Sequence, residues 1–334
     1  MKRDIRIDFL KGIMIYLVVL GHIGGYSPDI RKLIYSFHMP VFVFLSGWLT
    51  SFNRTRGEQD KWFRNTFIIY AAAQAGHILM SFVIAGVSGI MHGTQPDVSF
   101  LSWRLLIVPE PILWYLVSLI IWRFIAWRIF RGRRCATFVI LSVVLALASG
   151  FVPLDREFSF QRTFAFLPFF AMGVAFRKEN LMPRLQKVPP LLAVAMFAAA
   201  LAVAYLLPWN YQPKVHYADY EGLAIRAVQT VMATLLCFSA IRLPLGKAGN
   251  SYLYRTVAEC GKYTLWIYIG HSFLNRLNGY IVAALKILMP DFDMNIVWAA
   301  VLALIYCAIC IGAAKLVSKS GLGSCRCSSG PSCG

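Results

Sequence analysis

Two apolar stretches near the start of the chain, 9–27 and 34–51, carry three groups that lipid does not tolerate: Lys11, His22 and His38. One ionisable side chain at the depth of a bilayer core costs about 2.5–3.5 kcal/mol on insertion scales. That cost is repaid where the group faces a polar pocket or performs chemistry. Lys11 and His22 are eleven residues apart. At 100° and 1.5 Å per residue, they fall within about 20° of one helix face and roughly 16 Å apart along its axis. The connection 25-GYSPDIRK-32 is short, so His38, at the head of the second stretch, is expected at nearly the depth of His22.

The apolar pattern recurs along the chain. Windows of about 20 residues place further spans near 64–90, 112–130, 136–152, 163–176, 189–208, 223–241, 262–288 and 296–317. With 58% hydrophobic residues, 14% charged residues and a mean hydropathy of +0.62, an ordinary soluble globule is excluded, since such domains carry about a quarter charged residues. The expected fold class is an all-α integral membrane protein with about ten transmembrane helices. A net charge of +18 would suggest a polyanion partner in a soluble protein. Here Lys and Arg gather in alternate connections, among them Arg54, Arg56, Lys61 and Arg64, then Arg128, Arg131, Arg133 and Arg134. By the positive-inside rule both termini are cytoplasmic, and the charge reports topology. The expected surroundings are the lipid bilayer, with no nucleic acid. Arg226 and Lys286, near span ends, are expected to snorkel outward.

Of the 8 cysteines, none falls in an outer connection, so no structural disulfide is implied. Cys307 and Cys310 form a C-x-x-C inside an apolar stretch without nearby His or Asp, which reads as packing. No metal site and no bound cofactor are expected. Residues 1–317 read as one membrane domain, and 318–334 as a disordered Ser/Gly/Cys-rich cytoplasmic tail.

Several motifs sharpen this picture. Asp8, Lys11 and Gly12 spell D-x-x-K-G, Val18 to His22 spell V-V-L-G-H, Ser36–Pro40 spell S-F-H-M-P and Phe44–Gly47 spell F-L-S-G. With Lys11-x10-His22, these resemble membrane-bound acyltransferase family 3, whose mark is a basic residue, usually arginine, ten spacers and a histidine. Lysine here is similar to the branch of fucose-type O-acetyltransferases. Weaker echoes are 112-ILWYLVSL-119, 164-FAFLPFFAMGVAF-176 and 261-GKYTLWIYIGHSFL-274.

The resemblance implies an enzyme of the bacterial cytoplasmic (inner) membrane that moves an acyl group, most often acetyl, from acetyl-CoA to a sugar hydroxyl. The acceptor would be a surface polysaccharide or lipid-linked glycan. Such transfer needs a base for the hydroxyl proton and a donor or cation for the charge on the carbonyl oxygen. The implied base is His22, with His38 as orienter of His22, oxyanion donor or acceptor ligand. Lys11 would engage the donor's phosphates or its thioester carbonyl, and Lys61 and Arg64, before the third span, would bind the donor. Glu110, Trp114, Tyr115 and His271 would line the acceptor pocket. From the residues themselves, the loop 91–111 is long enough to fold over the outer mouth, and 209–221, rich in aromatics, reads as an interfacial aromatic belt ahead of a sugar-stacking surface. A transporter of a sugar or lipid-linked glycan is the alternative that intramembrane charge also permits. The absence of an internal repeat weighs against it. The oligomeric state is not readable.

Overall fold

Helix starts and stops are written locally along the chain. They delimit α1 (Ile5–Ile23), α2 (Pro28–Trp48), α3 (Arg56–His92), α4 (Trp114–Arg128), α5 (Cys135–Ala148), α6 (Phe160–Lys178), α7 (Met182–Gln186), α8 (Pro190–Leu206), α9 (Tyr220–Arg242), α10 (Tyr252–Lys262), α11 (Thr264–Leu288) and α12 (Ile296–Lys319). The computed structural model describes residues 4–92, 94–95, 108–153, 157–207, 217, 219–243 and 251–320, and no strand occurs among them. Each apolar stretch coincides with a helix. Among the described residues three helices, α3 to Ile90, α9 and α12, are long and apolar enough to cross a membrane. Most of the loops 91–111 and 209–221, with Arg104 and His216, lies outside the described residues, as does 321–334.

Two differences from the sequence reading concern where helices begin. α3 starts at Arg56, ahead of the apolar part, because Thr55 and Glu58 form a reciprocal cap: Thr55 donates its amide to the Glu58 carboxylate, and the Glu58 amide donates to Thr55 Oγ1. Lys61 and Arg64 therefore sit on the helix rather than in a loop before it. α10 occupies a stretch that hydropathy assigns to an inner connection. Its Tyr254, Ala258 and Gly261 are buried while Tyr252, Leu253 and Arg255 are exposed, an amphipathic pattern that averages to little in a hydropathy window.

The chain divides into two compact units, residues 1–27 with 249–334, and 28–248. In the first, α10, α11 and α12 pack around α1. α1 and α10 cross so closely that a Cβ on Gly12 would strike the Val257 carbonyl, and one on Gly261 would strike that of Asp8. Without a hydrophobic drive in lipid, helices associate through such close van der Waals approach at small residues. The rings of Phe9 and Tyr254 stack beside the crossing at 4.0 Å. On α11, Gly270 faces the Cys310 thiol of α12, so the C-x-x-C is a packing surface. At its C-terminal end α1 turns through Gly24 (φ 72) and Gly25 (φ 75), a backbone conformation open to glycine.

The second unit repeats the device. Gly47 of α2 meets the Phe170 carbonyl of α6, and Gly173 of α6 meets that of Phe44. Phe44, Trp48, Phe176 and Phe238 interlock around this crossing, mostly edge to face. α4 is pinned to α6 by Trp122 Nε1, which donates to the Thr163 carbonyl at 2.7 Å, and by the Ser118–Thr163 hydroxyl pair. α8 and α9 meet through Ala200, Ala204, Met232 and Leu236. Arg226 of α9 does not snorkel: it is 3% exposed, with its guanidinium 5.1 Å from the centre of the Tyr217 ring. The aromatic face gives the cation an internal partner, which removes the need to reach water.

Candidate functional site

α1 is one unbroken helix from Asp4, whose carboxylate accepts from the Arg6 amide, to Gly24, so Lys11 and His22 share its face, about 16 Å apart along the axis. His22 lies one residue from the helix end, where carbonyls lack intrahelical partners. Those carbonyls are bound from outside: Tyr26 Oη donates to Leu20, and Asn278 Nδ2 of α11 donates to Ile23 at 2.8 Å. Tyr306 Oη of α12 lies 3.5 Å from Asn278 Oδ1. The end of α1 is thereby held while its imidazole remains reachable.

His22 Nδ1 is 2.7 Å from the Val18 carbonyl. A carbonyl accepts only, so Nδ1 carries the proton, and in the neutral ring Nε2 is the basic atom. His38 does the same with Ile34 at 2.6 Å, and His271 with Ile267 at 2.8 Å. Three rings thus share one tautomer, each set by the carbonyl one helical turn back. Their exposure separates them. His38 is 1% exposed and His271 0%, whereas His22 is half-buried. The His22 and His271 rings lie 5.4 Å apart between centroids, tilted by 55°. A half-buried base beside a buried imidazole can accept a proton from an incoming hydroxyl and share a pocket wall with its neighbour.

Lys11 Nζ is 3.5 Å from the Asp8 carboxylate, one helical turn earlier, and Asp8 is 5% exposed. Asp8 belongs to the D-x-x-K-G motif, yet its role as counter-ion is absent from the sequence reading; the i, i+3 spacing is the signal that could have found it. The separation along α1 also bears on what Lys11 can touch. A lysine side chain reaches about 6 Å, far less than the roughly 16 Å to His22. From these positions on α1, the Lys11 ammonium and the His22 ring do not reach the same small group.

The remaining candidates lie in the second unit. Lys61 and Arg64 are exposed on α3. The Glu110 amide donates to Gln74 Oε1 of α3 at 3.0 Å, which ties residue 110 to that helix. Trp114 is 8% exposed, with the Arg162 guanidinium 5.4 Å from its ring centre. The Tyr115 hydroxyl meets Ser46 Oγ at 2.5 Å, and its ring packs edge to face on Phe42. Tyr115 thus joins the F-L-S-G and W-Y-L segments as a core contact. His38 packs against Tyr35, edge to face at 5.0 Å. Pro40, two residues on, has no N–H to donate to the Ser36 carbonyl.

Apolar helices, three of them long enough to cross a membrane among the described residues, and the lysine–carboxylate pair and half-buried imidazole on α1 define the class as a helical, membrane-associated protein. Residues 4–315 match the model of the family described as "Acyltransferase domain", and the chain belongs to that family, acyltransferase family 3: it is an acyltransferase. It is similar to the nodulation protein NolL of Sinorhizobium fredii, with 26% identity over 316 residues, covering 84% of this chain and 80% of the relative. A NolL of Mesorhizobium japonicum is 45% identical over 60 residues, 15% of this chain and 16% of that protein. No solved structure matches the chain.

Proposed function

We propose that the chain is an O-acetyltransferase of the bacterial cytoplasmic membrane that takes acetyl from acetyl-CoA and esterifies a sugar hydroxyl on a cell-surface polysaccharide or lipid-linked glycan. One observation carries the reading: of the histidines held with Nε2 as the basic atom, His22 of the Lys-x10-His motif is the half-buried one. In this mechanism Nε2 takes the hydroxyl proton as the oxygen attacks the thioester carbonyl. The tetrahedral intermediate then expels the coenzyme thiolate, which recovers the proton from the imidazolium. His271 forms the adjoining pocket wall, and His38, held in the same tautomer, is the second candidate. Lys11 serves the donor away from the reacting carbonyl, and Lys61 and Arg64 add positive charge for its phosphates. Glu110, Trp114 and Tyr115 belong to the acceptor side, Tyr115 through packing.

The proposed topology has ten spans with both termini in the cytoplasm. Single-cysteine labelling with an impermeant reagent should then reach positions 94 and 293, and not 133, in intact cells. Labelling of 133 from outside would overturn it. The function is tested by O-acetyl analysis of glycans from cells with the gene, without it, and with His22→Ala. Loss of glycan acetyl esters in the second and third strains is expected; unchanged acetylation in the deletion strain would sink the reading.

A further inference from the structure

Outside the histidine site, the second unit buries a cation that no described carboxylate neutralises. Arg123, on the last turns of α4, is 8% exposed, and its Nε has no hydrogen-bond partner. Its guanidinium lies 3.8 Å from the centre of the Trp62 ring on α3. The ionisable groups that act on it are a second cation, Arg54, and the Tyr115 phenol. Arg54 is half-buried and held near α3, because Gln59 Nε2 donates to the Ser51 carbonyl and ties residues 51–54 to that helix. Glu58, the carboxylate on which Arg54 acts, is committed to its cap with Thr55. No ion pair to Arg123 occurs among the described residues. A stacked guanidinium keeps one edge of donors for a planar or tetrahedral oxyanion, which lysine cannot present.

A buried arginine stacked on an aromatic ring, with a second arginine acting on it and no acid paired to it among the described residues, is a site short of one anion. Trp62 and Arg123 lie about 9 Å and 8 Å from the starts and ends of their helices, at 1.5 Å per residue, on the side that carries Arg54, Arg56, Arg128 and Arg131. We propose that Arg123, stacked on Trp62 and backed by Arg54, binds a phosphate group that enters from that side. The phosphate belongs either to the nucleotide end of coenzyme A or to a lipid headgroup. The coenzyme source rests on the acyl-donor reading above, and the lipid source does not.

The test uses the full-length protein purified in detergent, as wild type, Arg123→Met, Arg123→Lys and Arg54→Gln. Coenzyme A binding is measured by calorimetry, and turnover is compared between acetyl-CoA and acetyl-pantetheine, which has the thioester without the nucleotide. Retained phospholipid is measured by mass spectrometry. If the coenzyme is the source, Arg123→Met weakens coenzyme A binding by roughly thirtyfold and lowers the acetyl-CoA to acetyl-pantetheine turnover ratio. Arg123→Lys recovers part of that loss, and Arg54→Gln weakens binding several-fold. If a lipid is the source, wild type retains an anionic phospholipid that Arg123→Met releases. Arg54→Gln changes a half-buried residue at the helix ends, so it reports on the site even if Arg123→Met does not accumulate. Equal coenzyme affinity and equal retained lipid in wild type and Arg54→Gln, with the same equality in any Arg123 variant that accumulates, overturns the proposal. Failure of glycan acetylation by wild type would overturn the acyl-donor reading alone.

Discussion

The two units solve the same problem, a cation on an apolar helix, in opposite ways. Lys11 in the first unit has its own carboxylate one turn away, and its side chain is 21% exposed. Arg123 in the second unit is more deeply buried and rests on an indole, with another cation for company. The lysine pair is close to neutral, and its partly exposed ammonium can turn toward a visitor, although doing so leaves a buried carboxylate behind. The arginine is fixed in place by stacking and keeps its charge uncompensated. One helix thus carries an adjustable cation, whereas the other carries a preset one. The framework beneath both is the same, a reciprocal glycine crossing.

The largest effect expected from breaking this contrast lies at the chemistry of the first unit. His22→Ala should lower acetyl transfer by about 10²–10⁴, the usual share of general acid–base catalysis, with normal membrane insertion. Near-normal glycan acetylation by a well-expressed His22→Ala would remove it as the base. Next comes the adjustable cation. Lys11→Ala should weaken apparent affinity for acetyl-CoA by about ten- to a hundredfold, the value of charged hydrogen bonds, while Lys11→Arg keeps most of it. Asp8→Asn should do less than Lys11→Ala, because the ammonium survives. Equal affinity and turnover for all four proteins, measured in membranes with matched protein amounts, would make Lys11 structural.

The shared framework predicts a matched pair. Gly12→Val and Gly47→Val should each destabilise the protein by about 1–3 kcal/mol or more through overpacking, read as thermal unfolding in detergent. If one crossing tolerates the valine, the two units are not built alike. The smallest effect is at the start of α1. Asp4→Ala removes a helix cap and should cost about 0.5–2 kcal/mol. Hydrogen bonds from the Arg6 side chain hold the Asp4 carboxyl below its ordinary range, against its partial burial. A carboxyl lowered in the folded state contributes stability above its unfolded value of about 3.9 and loses it as pH falls through the folded one. The difference between wild type and Asp4→Ala should therefore shrink below pH ~4, and a constant difference would refute the linkage.

Much of α1 is legible in the sequence. Lys11 and His22 sit at a helical spacing in an uninterrupted apolar run, and periodicity alone carries that inference. The start of α3 is less so, because hydropathy windows see lipid-facing residues and pass over Thr55 and Glu58, although together they spell the T-x-x-E signature of a helix start. α10 escapes for a related reason, since an amphipathic helix of 11 residues averages to a connection. Arg123 cannot be found at all from its neighbours Trp122 and Phe124. Its meaning comes from Trp62, more than fifty positions away in the chain, and only packing brings the two together. Arg226 shows the same limit, since no local pattern announces the Tyr217 ring.

The back-bonded histidines have a consequence for regiochemistry. Because the Val18 carbonyl claims the proton on Nδ1 of His22, any electrophile that reaches this ring meets a lone pair on Nε2 alone. An acyl group transferred directly to a sugar, or parked first on the enzyme, would pass the same nitrogen. An acyl-imidazole trapped on His22 would be a single Nε2 isomer, and nitrogen-15 chemical shifts of the resting ring would show a pyrrole-like Nδ1 beside a pyridine-like Nε2.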